Sequence, residues 1–138
     1  GVIESLDLTK ASVHDVHYLK DVTELFSNCV MIGDKGYIGR QHQINLFETA
    51  GIELEVPLRN NQKGQRPVMW ILKKVRKRIE TVFSQLCDQF MIQRNYAKSF
   101  TGFKSRILAK ITGLTVLQFL NKFINNQPVG RVKHALAN

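Results

Sequence analysis

Residues 28–37 read NCVMIGDKGY, and this stretch decides the fold class. Cys29, Val30, Met31 and Ile32 form a continuous apolar run bounded by Asn28 and Gly33. A short run without alternation is the pattern of a strand buried on both faces, and such strands belong to sheets covered by helices. Gly33-Asp34-Lys35-Gly36 follows at once. Asp34 is therefore expected at the carboxyl end of a buried strand, where ligands and chemistry gather in α/β sheets. A plain turn is the competing reading, because Asp and Gly are ordinary turn residues.

Upstream, residues 1–9 (GVIESLDLT) alternate weakly and are expected to form a strand. Ser12 then suits the N-cap of a helix through Phe26, with Asp15 three residues on and Val13, Val16, Leu19, Val22, Leu25 and Phe26 on one face. His14, Asp15 and His17 have a loose metal-ligand spacing, but a cap and a polar face explain them better. Downstream, 40–50 has the pattern of a short helix with Ile44, Leu46 and Phe47 inward and Gly51 as its stop. Ile52, Leu54 and Val56 alternate with Glu53 and Glu55, a strand that Pro57 ends or places at an edge. Residues 59–66 (RNNQKGQR) are polar, basic and glycine-containing, suited to a loop that contacts phosphates or merely connects.

Residues 67–90 (PVMWILKKVRKRIETVFSQLCDQF) carry the longest helical signal. Val68, Ile71, Leu72, Val75, Ile79, Val82, Phe83, Leu86 and Phe90 recur at three-and-four spacing, and Pro67 suits the first helical position. Beside the stripe, Glu80 lies within reach of Arg76 and Lys77, with Lys73 a turn further back. A solvated salt-bridged face is the plain reading. A metal-binding carboxylate within a phosphate-binding surface is the sharper one, and it needs a second acid. After the connector 91–98, Ser99 or Thr101 can cap a last helix to about Asn125. Its first half is basic (Lys98, Lys104, Arg106, Lys110). Residues 114–123 are apolar on most sides, as in a segment buried in the fold or facing a second copy, which leaves a homodimer open. Pro128 and Gly130 break the pattern, and 126–138 is expected to be a loosely ordered tail after a domain spanning 1–125.

The chain has 138 residues, enough for one domain with a core. It carries 20 Lys and Arg against 11 Asp and Glu, a formal net charge of +9. That excess favours a polyanionic partner, nucleic acid first. Cys29 and Cys87 make neither a disulfide framework nor a zinc spacing, and they fit a reduced, cytoplasmic compartment. No run reads as a membrane span or a signal peptide, so no membrane partner is expected.

Strands alternating with helices imply an α/β layer fold. Asp34 at a strand end and Glu80 on a helix packed against the sheet are expected to converge. Two carboxylates on a basic surface suit two-metal phosphoryl transfer, in which the ions sit about 3.5–4 Å apart. Three stretches, GDKGYI at 33–38, LEVPLRNNQK at 54–63 and RKRIETVFSQL at 76–86, resemble bacterial insertion-sequence transposases of the DDE type. The resemblance runs from the first residues to the last long helix. It implies an RNase H-like mixed sheet with flanking helices, DNA as substrate, and Mg²⁺ or Mn²⁺ as cofactor. The activity it implies is DNA transposition by strand cleavage and transfer, in the bacterial cytoplasm at the nucleoid. Carried over, Asp34 resembles the second catalytic Asp and Glu80 the catalytic Glu, both as metal ligands. Arg76 matches the Arg of the signature around that Glu. Lys35, Arg59, Lys63, Arg66, Lys73, Arg76 and Lys77 become the candidate DNA contacts.

The chain departs from the pattern in two ways. The related signature has a Tyr three residues before the Arg and a Lys seven after the Glu, where this chain has Lys73 and Cys87. The family's first catalytic Asp lies on the first strand of the core, and Asp7 and Asp15 sit in the wrong elements to replace it. The expectation is a C-terminal portion of the catalytic domain, with the first strands missing and catalysis incomplete. A non-catalytic DNA-binding remnant is the alternative. A basic structural or RNA-associated protein is the third reading.

Overall fold

The computed structural model describes residues 1–37, 39–57 and 70–135. It divides into two compact units. Thr9–Leu72 forms one, and Gly1–Leu8 together with Lys73–Asn138 forms the other.

The contiguous unit is a small α/β arrangement. A 3-10 turn at Asp15–His17 leads into helix α1 (Tyr18–Leu25). Strand β1 (Val30–Ile32), helix α2 (Arg40–Ala50) and strand β2 (Glu53–Glu55) follow. The strands run parallel, pairing Val30 with Glu53, Met31 with Leu54 and Ile32 with Glu55. A parallel pair needs a crossover, and α2 supplies it. Leu19 and Val22 of α1, Leu46 of α2, and Ile52 and Leu54 on the second strand segment make the core.

Three local expectations are corrected here. Ser12 caps nothing; the first turn starts at His14, whose Nδ1 accepts from the Val16 N–H at 3.3 Å. The tighter 3-10 turn takes up Asp15–His17, so α1 starts later than periodicity implied. Strand β1 is not buried on both faces: Val30 at its start is 63% exposed, while Met31 packs against the core. On α2 only Leu46 is buried, while Phe47 is 64% exposed, so the helix seats one residue where a stripe was expected. Its ends fall where local chemistry sets them, with Gly51 left-handed at φ 64°.

The second unit rests on two long helices. Helix α3 is described from Trp70 to Asp88; the expected start at Pro67 and Val68 lies outside the described residues. Helix α4 runs Phe100–Phe119 and continues as a wider turn over Leu120–Ile124. Ser99 caps it as expected, its Oγ accepting from the Gly102 N–H at 3.1 Å. Leu86, Leu114 and Val132 form the core, with Ile3, Val82 and Phe90 packed around them. Phe90 lies against Gly113, where a Cβ would stand 3.0 Å from its ring, so a glycine there lets the ring approach the α4 backbone. Lys110 Nζ donates to the carbonyls of Met91 (2.6 Å) and Arg94 (3.1 Å), fastening the connector to α4.

Residues 1–9 form no strand. Ile3 packs beside Leu86, and the Gly1 carbonyl accepts from Gln118 Nε2 at 2.8 Å. Residues 126–135, expected to be loose, include a 3-10 turn with Val132 and Ala135 buried. Gln85 Nε2 donates to the Gly130 carbonyl and helps hold that turn. The apolar stripe of α3 is covered only in part, for Ile79 and Phe83 remain exposed. The reading that no segment suits a membrane span is also corrected: Phe100–Ile124, with a mean hydropathy of 1.3 over its best window, is long and apolar enough to cross one by length and composition.

Candidate active site

Asp34 stands just beyond β1, as expected. The Gly33 N–H donates to the Glu55 carbonyl at 2.9 Å, so the ladder continues one residue past the strand. A Cβ on Gly33 would lie 3.2 Å from Val56 Cγ1, 3.3 Å from Leu54 Cδ1 and 3.5 Å from Tyr37 Cβ. Glycine therefore lets the turn pack down onto β2. The chain then tightens into a 3-10 turn, Lys35–Tyr37. Asp34 holds both sides of it: Oδ1 accepts from the Lys35 N–H at 2.7 Å, and its carbonyl accepts from the Tyr37 N–H at 3.0 Å. The turn reading and the strand-end reading thus hold together. The carboxylate is exposed at the strand end, oriented by its own turn.

Tyr37 is a residue that periodicity did not single out. Burial pushes its phenol above the ordinary tyrosine range, and the charges of Asp15, Tyr18 and Asp34 push it the same way. The 3-10 turns carrying Asp15 and Tyr37 pack together, so two carboxylates flank one phenol. Asp15, expected as part of a helix cap and polar face, thereby shares an environment with Asp34. The only signal in the chain was the Tyr closing the GDKGY turn.

Glu80 lies on α3 in the other unit. Its Oε1 accepts from Arg76 Nε at 3.3 Å, one turn earlier, with the two side chains 66% and 62% exposed. Such a pair contributes about 0.3–0.5 kcal/mol. Lys73, Arg76 and Lys77 are all exposed along the same helix, and Lys35 is exposed beside Asp34. Arg59, Lys63 and Arg66 lie outside the described residues. Cys29 and Cys87 are free thiols.

The donor chemistry of the two acids fits a hard divalent cation such as Mg²⁺ or Mn²⁺, which takes carboxylate oxygens. Each unit presents one of the two carboxylates. Among the described residues no three His, Cys, Asp or Glu side chains gather to hold a metal.

The family model of the transposase DDE domain matches residues 1–116, a span that takes in β1, Asp34, α3, Glu80 and most of α4. The chain belongs to the transposase DDE domain family. No curated protein and no solved structure matches it. Membership gives the strand-end acid and the helix acid a common context within one transposase domain. It leaves residues 117–138, the end of α4 and the turn with Val132, beyond the matched span.

Proposed function

We propose that this chain, residues 1–125 above all, is part of a DDE transposase catalytic domain that cuts and joins DNA strands, with Asp34 and Glu80 as two of its metal-binding carboxylates. The observation that carries this reading is the exposed Asp34 at the carboxyl end of a parallel strand, inside the span matched by the family. A parallel strand pair with a helical crossover supports an RNase H-like core. Bound Mg²⁺ or Mn²⁺ would stabilise charge on the attacking and leaving phosphate oxygens. Asp34 and Glu80 would each serve as a carboxylate ligand for a divalent ion. Lys35, Arg59, Lys63, Arg66, Lys73, Arg76 and Lys77 would neutralise DNA phosphates.

Isothermal titration with Mg²⁺ and Mn²⁺, paired with a strand-cleavage assay on duplex DNA, tests the proposal. The expected result is ion binding that Asp34→Asn and Glu80→Gln each remove while the fold persists. Ion affinity unchanged in both variants would overturn it.

A second reading, a DNA-binding remnant without chemistry, is supported by the excess of Lys and Arg over Asp and Glu in the chain. It predicts DNA binding that is salt-dependent, indifferent to Mg²⁺ and unaccompanied by cleavage.

A further inference from the structure

After Asp88 the chain contains no Asp or Glu, yet it carries eight Lys and Arg. Within that stretch the start of α4 combines exposed rings with a lysine over one of them. Phe100 and Phe103 are 45% and 36% exposed, their planes within 13° and their centroids 6.4 Å apart. Lys104 Nζ stands 5.4 Å from the centre of the Phe100 ring. Tyr96, on the connector just before the helix, is 79% exposed. The connector is tied to the same turn: Asn95 Nδ2 donates to the Phe103 carbonyl at 3.4 Å, and Asn95 Oδ1 accepts from the Ala97 N–H at 3.1 Å. Three exposed rings therefore fall within residues 96–103, with Lys104 over one of them and Lys98, also exposed, between Tyr96 and Phe100 in the chain.

A purely apolar partner would leave these ammonium groups unmatched. A polyanion with flat apolar faces satisfies both features, since bases stack on rings while phosphates meet lysines. Duplex DNA offers phosphates, but its base faces are already stacked on each other. The chemistry therefore favours unpaired nucleotides over paired ones. We infer that Tyr96, Lys98, Phe100, Phe103 and Lys104 form a surface that binds single-stranded DNA. The inference rests on the proposed function only for the choice of DNA as the nucleic acid.

The test uses the whole chain, with chelator present so that no divalent ion contributes. Fluorescence anisotropy compares a labelled oligo-dT of about 12 nucleotides with a duplex of equal length, a size within the usual range for single-strand sites. The double variant Phe100→Leu, Phe103→Leu keeps apolar bulk and loses the rings. It is expected to bind the single strand roughly tenfold or more weakly, with duplex affinity unchanged. Lys98→Ala with Lys104→Ala is expected to weaken both ligands and flatten the salt dependence. If the ring variant fails to fold, Tyr96→Ala replaces it, with a loss confined to the single strand.

Equal losses on both DNAs, or no loss on the single strand, would overturn the inference. So would loss of binding to phosphatidylserine-containing vesicles in the ring variant with oligo-dT affinity intact, which would assign the surface to a membrane. Glu80→Gln separates this inference from the proposed function. Oligo-dT binding retained in a chain that never binds an ion or cleaves DNA disproves only the catalytic reading. Intact cleavage without the ring dependence disproves only the surface.

Discussion

Arg76 Nε and Glu80 Oε1 lie 3.3 Å apart on successive turns of α3, both side chains mostly in solvent. A pair so exposed contributes little to the fold, and its geometry leaves Glu80 ready to exchange partners. Arg76→Ala and Glu80→Gln are each expected to change unfolding free energy by less than about 0.5 kcal/mol in urea titration. A loss above about 2 kcal/mol in either would show that the pair supports packing.

Gly51 is expected to resist substitution. Its φ of 64° is left-handed, and an added Cβ would stand 2.5 Å from Asn28 Oδ1. Gly51→Ala should cost about 1–3 kcal/mol, combining left-handed strain with that contact. Chemical denaturation measures this directly, and a neutral result would mean that the α2 stop can re-form by another route.

Tyr37 makes the contiguous unit sensitive to alkali. Its folded pKa is raised above the unfolded value, so the unfolded chain loses its proton first. The stabilisation is present in full below the unfolded pKa, near 10, and is lost as pH rises through the folded pKa. Asp15→Asn removes one of the causes and should shift the Tyr37 titration downward, toward the ordinary range. NMR of tyrosine labelled at Cζ follows that titration; an unmoved midpoint would remove Asp15 from the cluster.

Two substitutions on α4 should differ sharply. Leu114 is fully buried, whereas Phe119 is 53% exposed. Leu114→Ala is expected to cost about 2–5 kcal/mol, and Phe119→Ala under about 1 kcal/mol. Calorimetry of both variants compares them. Comparable losses would mean that the Phe119 face is covered in solution.

Lys110 was legible only as part of a basic helix face, yet two carbonyls hold its ammonium. Lys110→Met should destabilise the second unit by about 1–3 kcal/mol and leave the salt slope of DNA binding unchanged. A flattened slope would return Lys110 to the DNA-facing set.

The features legible in the sequence were those that neighbouring residues settle among themselves. Gly51 ends α2 because left-handed backbone suits glycine, and Ser99 starts α4 because its hydroxyl reaches a helical N–H three residues on. Asp34 followed from a strand run into a glycine turn. Burial was less legible, since it depends on what arrives from far along the chain. Phe47, Ile79 and Phe83 keep the right period yet stay exposed among the described residues, as does Val30 at the start of its strand. Residues 1–9 alternate like a strand but pack beside α3 and α4 without one. No period marks Tyr37, because its environment depends on Asp15, whose turn packs against it only in three dimensions.

The Gly1 carbonyl bonded to Gln118 has a consequence for the order of assembly. The unit that contains both groups is stitched from two pieces, with all of Thr9–Leu72 between them. During synthesis the intervening piece emerges whole and can collapse by itself, while the first eight residues wait for partners not yet made. Closing so long a separation has an entropic cost before any contact repays it, so this unit should be the slower to mature.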